Sequence, residues 1–205
     1  MRIAARFSEE KKKLWLQKNV LPDTILEFTD KQEHLFNSEA DVYVDLLYAD
    51  DGSAITLQHK PLFVHAVVTT LAELPANCIR LNGWNGFMQN ETIEIAVSEK
   101  NMEMAAWLMN ELKYRYKKVP DVPGMVAPRI ISMIINEAYY ALEDKVSTKE
   151  EIDIAMRLGT NYPMGPFEWS KKIGLKNIYA LLNKLSKADS RYAISSLLKY
   201  EAGNE

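Results

Sequence analysis

The N-terminal half of the chain alternates short apolar stretches with longer polar ones. β-Branched and aromatic residues are concentrated in six stretches that are too short for helices and therefore predict strands: residues 2–7, 24–28, 41–48, 61–68, 78–84 and 92–97. Between the first two, Ser8 is the predicted N-cap of a helix that starts with Glu9 and Glu10, which suit the positive end of the helix dipole. This alternation predicts a layered α/β domain.

An amphipathic pattern at residues 99–117 predicts a further helix. Its apolar residues recur at helical spacing and form one stripe: Met102, Ala105, Ala106, Met109 and Leu112. The basic run at residues 113–118 is interpreted as the end of this helix, because cations are favourable at a helix C-terminus. Contact with an anion or a nucleotide is the alternative interpretation of that run.

Two prolines and a glycine at residues 118–124 interrupt every pattern, and beyond them the sequence predicts helices only. The predicted helices span residues 125–145, 150–159, 166–173 and 176–187. Ser147 and Glu150 have the spacing of a capping box, and Gly159 is a natural C-terminal residue for the second of these helices. The predicted domains are therefore residues 1–119, with strands and helices, and residues 120–205, all helical.

Composition and charge narrow the class of protein. The chain is 47% hydrophobic and 26% charged, as ordinary globular proteins are, and its formal net charge of -3 gives no electrostatic reason to expect a nucleic acid or a membrane as partner. No apolar run approaches the roughly 20 residues that span a bilayer. A single cysteine excludes an internal disulfide, and no metal-ligand spacing is visible. We therefore expect no metal. We expect a cytoplasmic protein, because the start of the chain has no apolar signal core.

The region between residues 119 and 187 resembles a known family. It contains DVPGMVAPRI, then NEAYYALEDKVSTKEEIDIAMRLGTNYPMGPFEW, then IGL. These segments are similar, in the same order, to the C-terminal domain of the 3-hydroxyacyl-CoA dehydrogenases, NAD-dependent enzymes of fatty-acid β-oxidation and butanoyl metabolism that include 3-hydroxybutyryl-CoA dehydrogenases. The resemblance implies an α/β plus all-α fold, in which a shortened Rossmann-like domain precedes the family's helical domain.

The resemblance also implies what the helical domain does. In the family it packs against the cofactor domain, shapes the acyl pocket and supplies the dimer interface, so a homodimer through residues 125–187 is expected. The expected contacts are apolar residues left over from the main buried face of its first helix: Ile131, Met133, Tyr139 and Tyr140. We expect the turn NYPMGPFEW at residues 161–169 to be a packed connection between helices rather than a catalytic loop, because its prolines fix the backbone and its glycine relieves crowding.

A second segment, residues 80–97, resembles the part of the family that carries a catalytic histidine and, twelve positions later, a glutamate that orients it. Glu94 matches that glutamate, but Asn82 stands where the histidine is expected. An amide side chain cannot accept the proton that the family's histidine removes from the substrate hydroxyl. The histidines that the chain does have, at positions 34, 59 and 65, are interpreted as surface or packing residues.

Two further positions of the family's site are predicted from the same resemblance. Pro128 stands where the family has a catalytic asparagine, and a proline has no side-chain hydrogen bond to offer. Thr69 is the candidate for the family's substrate-binding serine hydroxyl, with Thr70 as the alternative.

The expected cofactor site departs furthest from the family. A dinucleotide needs glycines at the first strand-to-helix turn, where backbone amides approach the pyrophosphate, but the first glycine of this chain is Gly52. Glu9 and Glu10 at that turn would repel phosphates. Asp30 is a weak candidate for the ribose-binding acid, because an aspartate at the end of a strand more often forms a turn. The segment between the second and third predicted strands is too short to contain the family's helical insertion, which contributes to CoA binding.

The sequence therefore predicts a family member without normal dehydrogenase catalysis and with no bound cofactor, NAD being implied by the resemblance alone. Holding an acyl-CoA-like ligand, or acting as a dimeric partner of another protein such as a full-length dehydrogenase, are the expected roles. The alternative is an active NAD-dependent oxidoreductase on a 3-hydroxyacyl-CoA or a related hydroxy acid, with an atypical site in which Glu94 is the base.

Overall fold

A computed structural model describes residues 1–16, 23–51, 54–56 and 59–205, and the chain divides into two compact units, Met1–Met125 and Val126–Glu205. The division lies further along the chain than the predicted boundary after residue 119. The reason is that the proline-rich segment bonds to the first unit, where the Gly124 amide donates to the Val67 carbonyl over 2.8 Å and Met125 packs with Val119.

The first unit contains a sheet that has seven strands within the described residues: β1 (Arg2–Arg6), β2 (Ile25–Thr29), β3 (Val42–Asp45), β4 (Leu62–His65), β5 (Cys78–Leu81), β6 (Thr92–Ala96) and β7 (Arg115–Lys118). Their order across the sheet is β2-β1-β3-β4-β5-β6-β7. The first five strands are mutually parallel, β6 runs antiparallel to β5, and β7 is parallel to β6. The predicted α/β class is confirmed, and each of the six predicted strands is present, several of them shorter than expected.

Helices α1 (Glu9–Leu16), α2 (Gln32–Asn37), α3 (Tyr48–Asp51) and α4 (Met102–Glu111) belong to this unit, with short 3₁₀ turns at Leu71–Glu73 and Glu99–Asn101. Alternate residues of the strands enter two separate cores, since successive side chains of a strand point to opposite faces. One core, which includes Ile3 and Phe63, receives Trp15 from α1 and Leu108 from α4. The other contains Leu62 and is closed in part by α2.

The prediction that one helix spans residues 99–117 is wrong at its C-terminal end. The helix stops at Glu111, Lys113 adopts a positive φ of 54°, and Arg115–Lys118 forms the edge strand β7 in register with β6. Tyr114 becomes buried just before this strand. The basic residues therefore lie along a sheet edge, where charged side chains discourage pairing with another chain.

The second unit consists of α5 (Ala127–Glu143), α6 (Lys149–Thr160), α7 (Pro166–Ile173), α8 (Leu175–Ser186) and α9 (Ser196–Asn204), with a 3₁₀ turn at Ser190–Tyr192. The long helix α5 contacts α7, α8 and α9. Its residues Ile131 and Tyr139 are only 7% and 2% exposed, so the expectation that they are left over for a partner chain is wrong. The sequence pattern of α5 alone does not predict which of its side chains are buried, because α9 covers the face on which Tyr139 lies.

The start and the end of α6 differ from the predicted ones by one residue each. Thr148, not Ser147, is the N-cap, and its partner in the capping box is Glu151. The helix continues through Gly159 and ends at Thr160, and its C-cap residue Asn161 has a φ of 57°, in the left-handed region that asparagine tolerates.

The turn between α6 and α7 packs tightly against α6, as expected. The Asp153 carboxylate accepts hydrogen bonds from the amides of Phe167 (2.8 Å) and Glu168 (3.2 Å), and so caps the start of α7. Gly165 lies so close to α6 that a Cβ atom added to it would be 2.2 Å from Asp153 Oδ1 and 2.4 Å from Asp153 Cα. The glycine is required because the backbone of the turn must approach the backbone of α6.

We expect Gly165→Ala to destabilise the helical unit by about 2 kcal/mol or more, because the added methyl group must displace backbone atoms. The matched control is Gly159→Ala on the same helix pair, where nothing lies within 4 Å of an added Cβ. That control should stabilise the unit by roughly 0.5–1 kcal/mol through better helix propensity. Urea unfolding followed by circular dichroism measures both, and equal stabilities of the two variants would contradict the role assigned to Gly165.

Candidate functional site

The antiparallel pairing of β5 and β6 brings Asn82 and Glu94 together, as the resemblance to the family implies. Asn82 directly follows β5, and its amide donates to the Glu94 carbonyl over 3.0 Å. The Asn82 side chain is buried, and its Oδ1 accepts a hydrogen bond from the Trp84 amide (3.3 Å). Glu94 is half-buried. The Asn82 carboxamide, which stands at the family's histidine position, thus stabilises the turn that directly follows β5.

A histidine that the sequence interpretation assigned no chemistry lies beside this pair. His65 ends β4, in register with Leu81 of β5, and its Nδ1 accepts a hydrogen bond from the Gly83 amide (3.1 Å). Its ring packs on Gly83, where a Cβ atom would lie 2.8 Å from His65 Cγ. The signal that could have found it is topological: parallel strands that are neighbours in a sheet end at the same edge.

The buried His65 ring is neutral. Burial, followed by the positive charge of Lys11, lowers the pKa of His65 well below its ordinary value of 6.5. Because Nδ1 accepts from the Gly83 amide, the ring proton is on Nε2. A neutral imidazole has the right charge for a general base, but this ring is only 1% exposed.

The loop that carries Thr69 and Thr70 is held by hydrogen bonds. Thr70 caps the following 3₁₀ turn, and both its amide and its hydroxyl donate to Glu73 Oε2 at 2.8 Å. Thr69 precedes this cap, is half-buried, and lies in the loop that follows β4. Thr70 has a structural role, which favours Thr69 of the two candidates.

Arg80 holds the same loop in place through hydrogen bonds and an ion pair. Its side chain is fully buried, and it donates to the carbonyls of Ala66 (2.9 Å) and Val67 (3.1 Å) and pairs with Asp121. The Asp121 carboxylate also accepts from the Leu71 amide, with both oxygens at 3.0 Å. Burial lowers the pKa of Arg80, and the Asp121 carboxylate opposes this shift. One buried guanidinium thereby ties β5, the threonine loop and residues 119–125 together.

Pro128 lies in the helical unit, at the second position of α5, and is buried. Proline is suited to the first turn of a helix because its missing amide hydrogen has no partner to lose there. The residue therefore performs the structural role that the sequence predicts and offers no side-chain hydrogen bond.

The turn between β1 and α1 is where the family's cofactor would meet the helix start, and here the sheet order reverses, between β1 and β3. Buried side chains occupy this place. Arg6 pairs with Asp45 over 2.8 Å, and Lys11 Nζ donates to the Leu46 carbonyl over 2.7 Å. Each of these charged groups is 5% exposed or less.

One amide of this helix start, that of Lys11, is bonded within the chain by the side chain of Ser8. Ser8 Oγ accepts from the Lys11 amide (3.3 Å), and the Ser8 carbonyl accepts from the Lys12 amide (2.8 Å). A pyrophosphate needs free amides and a close approach of glycine backbone. The residues present do not fit the pyrophosphate of a dinucleotide.

Asp30 lies just after β2 at the mouth of a cleft of about 480 Å³. We call this the β1–β2 cleft, and it is lined by Phe7, Ser8, Glu9, Lys12, Phe28, Thr29, Asp30 and Leu47. Asp30 is exposed, and the neighbouring Thr29 Oγ1 accepts from the Lys31 amide over 3.1 Å. The Asp30 carboxylate is thus at the position expected for the ribose-binding acid, although buried side chains fill the neighbouring position of the pyrophosphate.

Other kinds of site receive no support from the described part of the chain. No group of three or more histidine, cysteine, aspartate or glutamate side chains there could hold a metal ion. Among the same residues, no helix has both the length and the apolarity that a membrane crossing requires.

Comparison with known proteins relates both units to one family. Residues 124–202 match the model for the 3-hydroxyacyl-CoA dehydrogenase C-terminal domain. The 3-hydroxyadipyl-CoA dehydrogenase of Escherichia coli K12 is 36% identical over 121 residues, which cover 56% of this chain and 26% of that protein. The 3-hydroxybutyryl-CoA dehydrogenase of Clostridioides difficile is 32% identical over 137 residues, covering 64% and 49%. The chain thus spans from a quarter to about half the length of these relatives.

Solved structures show the same fold. The (S)-3-hydroxybutyryl-CoA dehydrogenase of Ralstonia eutropha superposes with a TM-score of 0.66 and 21% identity, covering 87% of this chain and 70% of that one. At this level of identity the likeness concerns the fold alone. A Rossmann-like first unit followed by a helical unit is therefore confirmed.

We expect the free energy of unfolding to decrease at acidic pH because of His65. Its folded pKa lies below the unfolded value of 6.5, so the unfolded chain binds more protons between these two values. The contribution is complete above about pH 6.5 and is lost below it, with a slope of up to about 1.4 kcal/mol per pH unit. Urea unfolding between about pH 7.5 and 5.5 measures the slope.

The variant His65→Gln, which keeps an oxygen that can accept from the Gly83 amide, should have a smaller slope than the unmodified protein. His34→Gln is the matched control, since His34 is exposed and should leave the slope unchanged. Equal slopes for His65→Gln and the unmodified protein would exclude His65 as the source.

Proposed function

Because the chain belongs to the 3-hydroxyacyl-CoA dehydrogenase family, we propose that it is a pseudoenzyme of that family. It retains the fold without the normal NAD-dependent oxidation, and acts by holding an acyl-CoA-like ligand or by associating with another protein chain. The relatives are named for 3-hydroxyadipyl-CoA and 3-hydroxybutyryl-CoA. Acyl-CoA is therefore the ligand class to test first.

The observation that carries this proposal is the filled turn between β1 and α1. Admitting a pyrophosphate would require Lys11 to leave the Leu46 carbonyl and would bring the phosphates near Glu9 and Glu10. Buried charged groups that lose their partners cost several kcal/mol, and like charges add to this cost. A dinucleotide would have to offset both penalties before any binding appeared.

Asn82 supports the same proposal at the reacting end. A carboxamide does not take up a proton near neutral pH, so it cannot replace an imidazole as general base. Its oxygen accepts from the Trp84 amide, which gives the side chain a structural role. Pro128 adds to this, because it cannot supply the hydrogen bond of the asparagine that the family pattern has at that position.

The alternative function is an active NAD-dependent oxidoreductase with an atypical site. One observation favours it: Asn82 and Glu94 keep the cross-strand pairing that the family's histidine and glutamate would need, and a histidine lies on the neighbouring strand. In this alternative Glu94 is the base and the cofactor binds in an unusual pose.

Titration with NADH, followed by its fluorescence, and reduction of acetoacetyl-CoA by NADH distinguish the two functions. We expect no saturable NADH binding at micromolar concentration and no reduction above the rate without protein. Asn82→His should be inactive too, since Pro128 and the filled turn remain. The 3-hydroxybutyryl-CoA dehydrogenase of Clostridioides difficile serves as the positive control for the assay.

Robust reduction by the unmodified protein would overturn the proposal and establish the alternative. If the protein is inactive, calorimetric titration with acetoacetyl-CoA alone separates ligand holding from a role in association: saturable heat supports the first, and its absence leaves the second.

The proposed association is a two-fold homodimer of the helical unit, with α6 at its centre. Leu158 is 83% exposed and Ile154, one turn earlier, is 46% exposed. Tyr162, just after the helix, extends this apolar surface. A two-fold axis near these residues brings Leu158 of one copy against Ile154 of the other, which is the self-complementary arrangement that such a dimer needs.

We expect the intact protein to sediment as a dimer at tens of micromolar and Leu158→Lys to sediment as a monomer, because the charge would be buried unpaired in the interface. Tyr200→Lys is the control, since Tyr200 is an apolar residue of the same unit that is 70% exposed and belongs to α9 instead of α6. A monomeric unmodified protein would contradict the dimer, and a dimeric Leu158→Lys variant would move the interface elsewhere.

A further inference from the structure

A cavity of about 170 Å³ lies wholly within the helical unit. Each helix of the unit contributes to its lining, through Tyr139 of α5, Lys149 of α6, Phe167 of α7, Leu175 of α8 and Glu201 of α9. An apolar cavity of about 150 Å³ is large enough to hold a benzene molecule. The cavity of the helical unit therefore has space for a small organic group.

Two aromatic rings and one ammonium group meet at this cavity. The rings of Tyr139 and Phe167 lie 5.1 Å apart between centroids, edge to face, with an angle of 65° between their planes. The Lys149 Nζ atom lies over both rings, 5.3 Å from the Tyr139 centroid and 5.5 Å from the Phe167 centroid. A cation within about 6 Å of a ring centroid is attracted by the ring. Both rings therefore contribute to holding the same cation.

A carboxylate completes the surroundings of this ammonium group. Both oxygens of Glu201 accept from Lys149 Nζ at 2.7 Å, and the Tyr139 hydroxyl donates to Glu201 Oε2 over 2.7 Å. Burial raises the pKa of Glu201, but the hydrogen bonds from Lys149 and Tyr139 outweigh it, so the pKa lies below its ordinary value. Glu201 is therefore negatively charged. We call the two rings and the Glu201 carboxylate the aromatic cage.

The remaining charged groups of the cavity balance each other. The Glu205 carboxylate lines the cavity and accepts from the amides of Leu175 (3.3 Å) and Lys176 (2.9 Å). The exposed Lys171 also lines it. The selectivity for positive charge therefore comes from the aromatic cage, whose combination of aromatic faces and a carboxylate is typical of sites for quaternary ammonium groups.

Lys149 is attached to the aromatic cage in a way that permits it to leave. It is the first residue of α6, and its side chain is 35% exposed. Ion pairs that are partly exposed contribute little to stability, because water screens both charges. The ammonium is carried on a flexible four-carbon stem. The side chain can therefore turn to solvent while α6 stays in place.

We propose that the aromatic cage binds a methylated ammonium group of a ligand, with Lys149 as an occupant that the ligand displaces. The ligand's nitrogen takes the place of Lys149 Nζ over the two rings, and its methyl groups fill the adjoining cavity. A methylated ammonium suits this place because it combines a positive charge with an apolar surface. Lys149 acts as a tethered competitor, with an effective concentration on the order of millimolar.

Tetramethylammonium chloride is the probe, titrated into the ¹⁵N-labelled full chain and followed by NMR, with sodium chloride at the same ionic strength as the reference. We expect saturable shifts at the amides of Tyr139, Phe167 and Glu201, with a millimolar Kd. Lys149→Gln keeps a long side chain but removes the competing charge, so it should bind the probe about tenfold more tightly.

Lys171→Gln is the matched control for this variant. It removes the same charge from another lysine that lines the cavity, whereas the contacts with the two rings belong to Lys149. Because Lys171 is exposed, salt screens its charge, and the affinity should change by less than about twofold. Thermal unfolding of each variant confirms that it is folded.

Two further comparisons test the chemistry of recognition in the Lys149→Gln background. Choline should bind at least about tenfold more tightly than its neutral isostere 3,3-dimethylbutan-1-ol, because the rings and Glu201 attract the charge. Phe167→Leu, which removes one ring, should weaken choline about tenfold. If Phe167→Leu does not fold, Glu201→Gln replaces it and should weaken choline in the same way. Nα-acetyl-trimethyllysine amide, compared with choline, distinguishes a methylated lysine from a small quaternary amine as the preferred ligand.

The results decide the inference independently of the proposed function. Lys149→Gln without saturable shifts up to tens of millimolar tetramethylammonium would overturn it and leave Lys149 as a structural tie between α6 and α9. Equal affinities for choline and 3,3-dimethylbutan-1-ol would overturn it as well. An affinity of Lys149→Gln no higher than that of Lys171→Gln would exclude Lys149 as the displaced occupant. None of these results bears on the NADH and acetoacetyl-CoA assays, because the cavity belongs to the helical unit alone.

Discussion

The buried ion pair between Arg6 and Asp45 is the constraint on which the first unit depends. The two residues are neighbours in the register of β1 and β3, where the strand order reverses, and neither has contact with solvent to speak of. Charges removed from water are tolerated only when each is paired and hydrogen-bonded. The two strands must therefore keep this register. Lys11, which bonds to the Leu46 carbonyl directly after β3, holds the first turn of α1 against the same edge.

This arrangement has consequences for chemistry. In a dinucleotide-binding fold the same edge is kept open by glycines, and the helix start faces the phosphates. Here long charged side chains take up that space, and Ser8 Oγ accepts a hydrogen bond from the Lys11 amide. The fold is retained because the hydrophobic faces of the strands do not depend on what occupies the carboxyl edge. The cofactor position can change while the sheet stays the same.

Another buried cation, Arg80, organises the part of the sheet around β5. Arg80 joins β5, the loop of Thr69 and the segment that ends the first unit, through carbonyl oxygens and Asp121. The proline-rich segment is consequently part of the first unit, although its composition alone indicates a linker. In the helical unit Asp153 has a comparable role, since it caps α7 and requires glycine at position 165. In each case one buried polar side chain satisfies several backbone groups that a turn would otherwise leave unpaired.

The sequence by itself determined the features that depend on local periodicity, namely the strands with β-branched residues and the amphipathic helices. The association of Asn82 with Glu94 was expected only from the resemblance to the family. The sequence did not predict β7, because a basic run can end a helix or line a sheet edge and only the neighbouring strand decides. It left Ile131 and Tyr139 for a partner chain because burial depends on which helices meet, and α9 was not foreseen. The position of His65 next to Asn82 follows from the parallel pairing of β4 with β5, which the sequence alone did not predict. Tertiary structure decided these points, since hydrogen bonding across a sheet and burial of a helix face are properties of pairs of elements, whereas periodicity belongs to a single one.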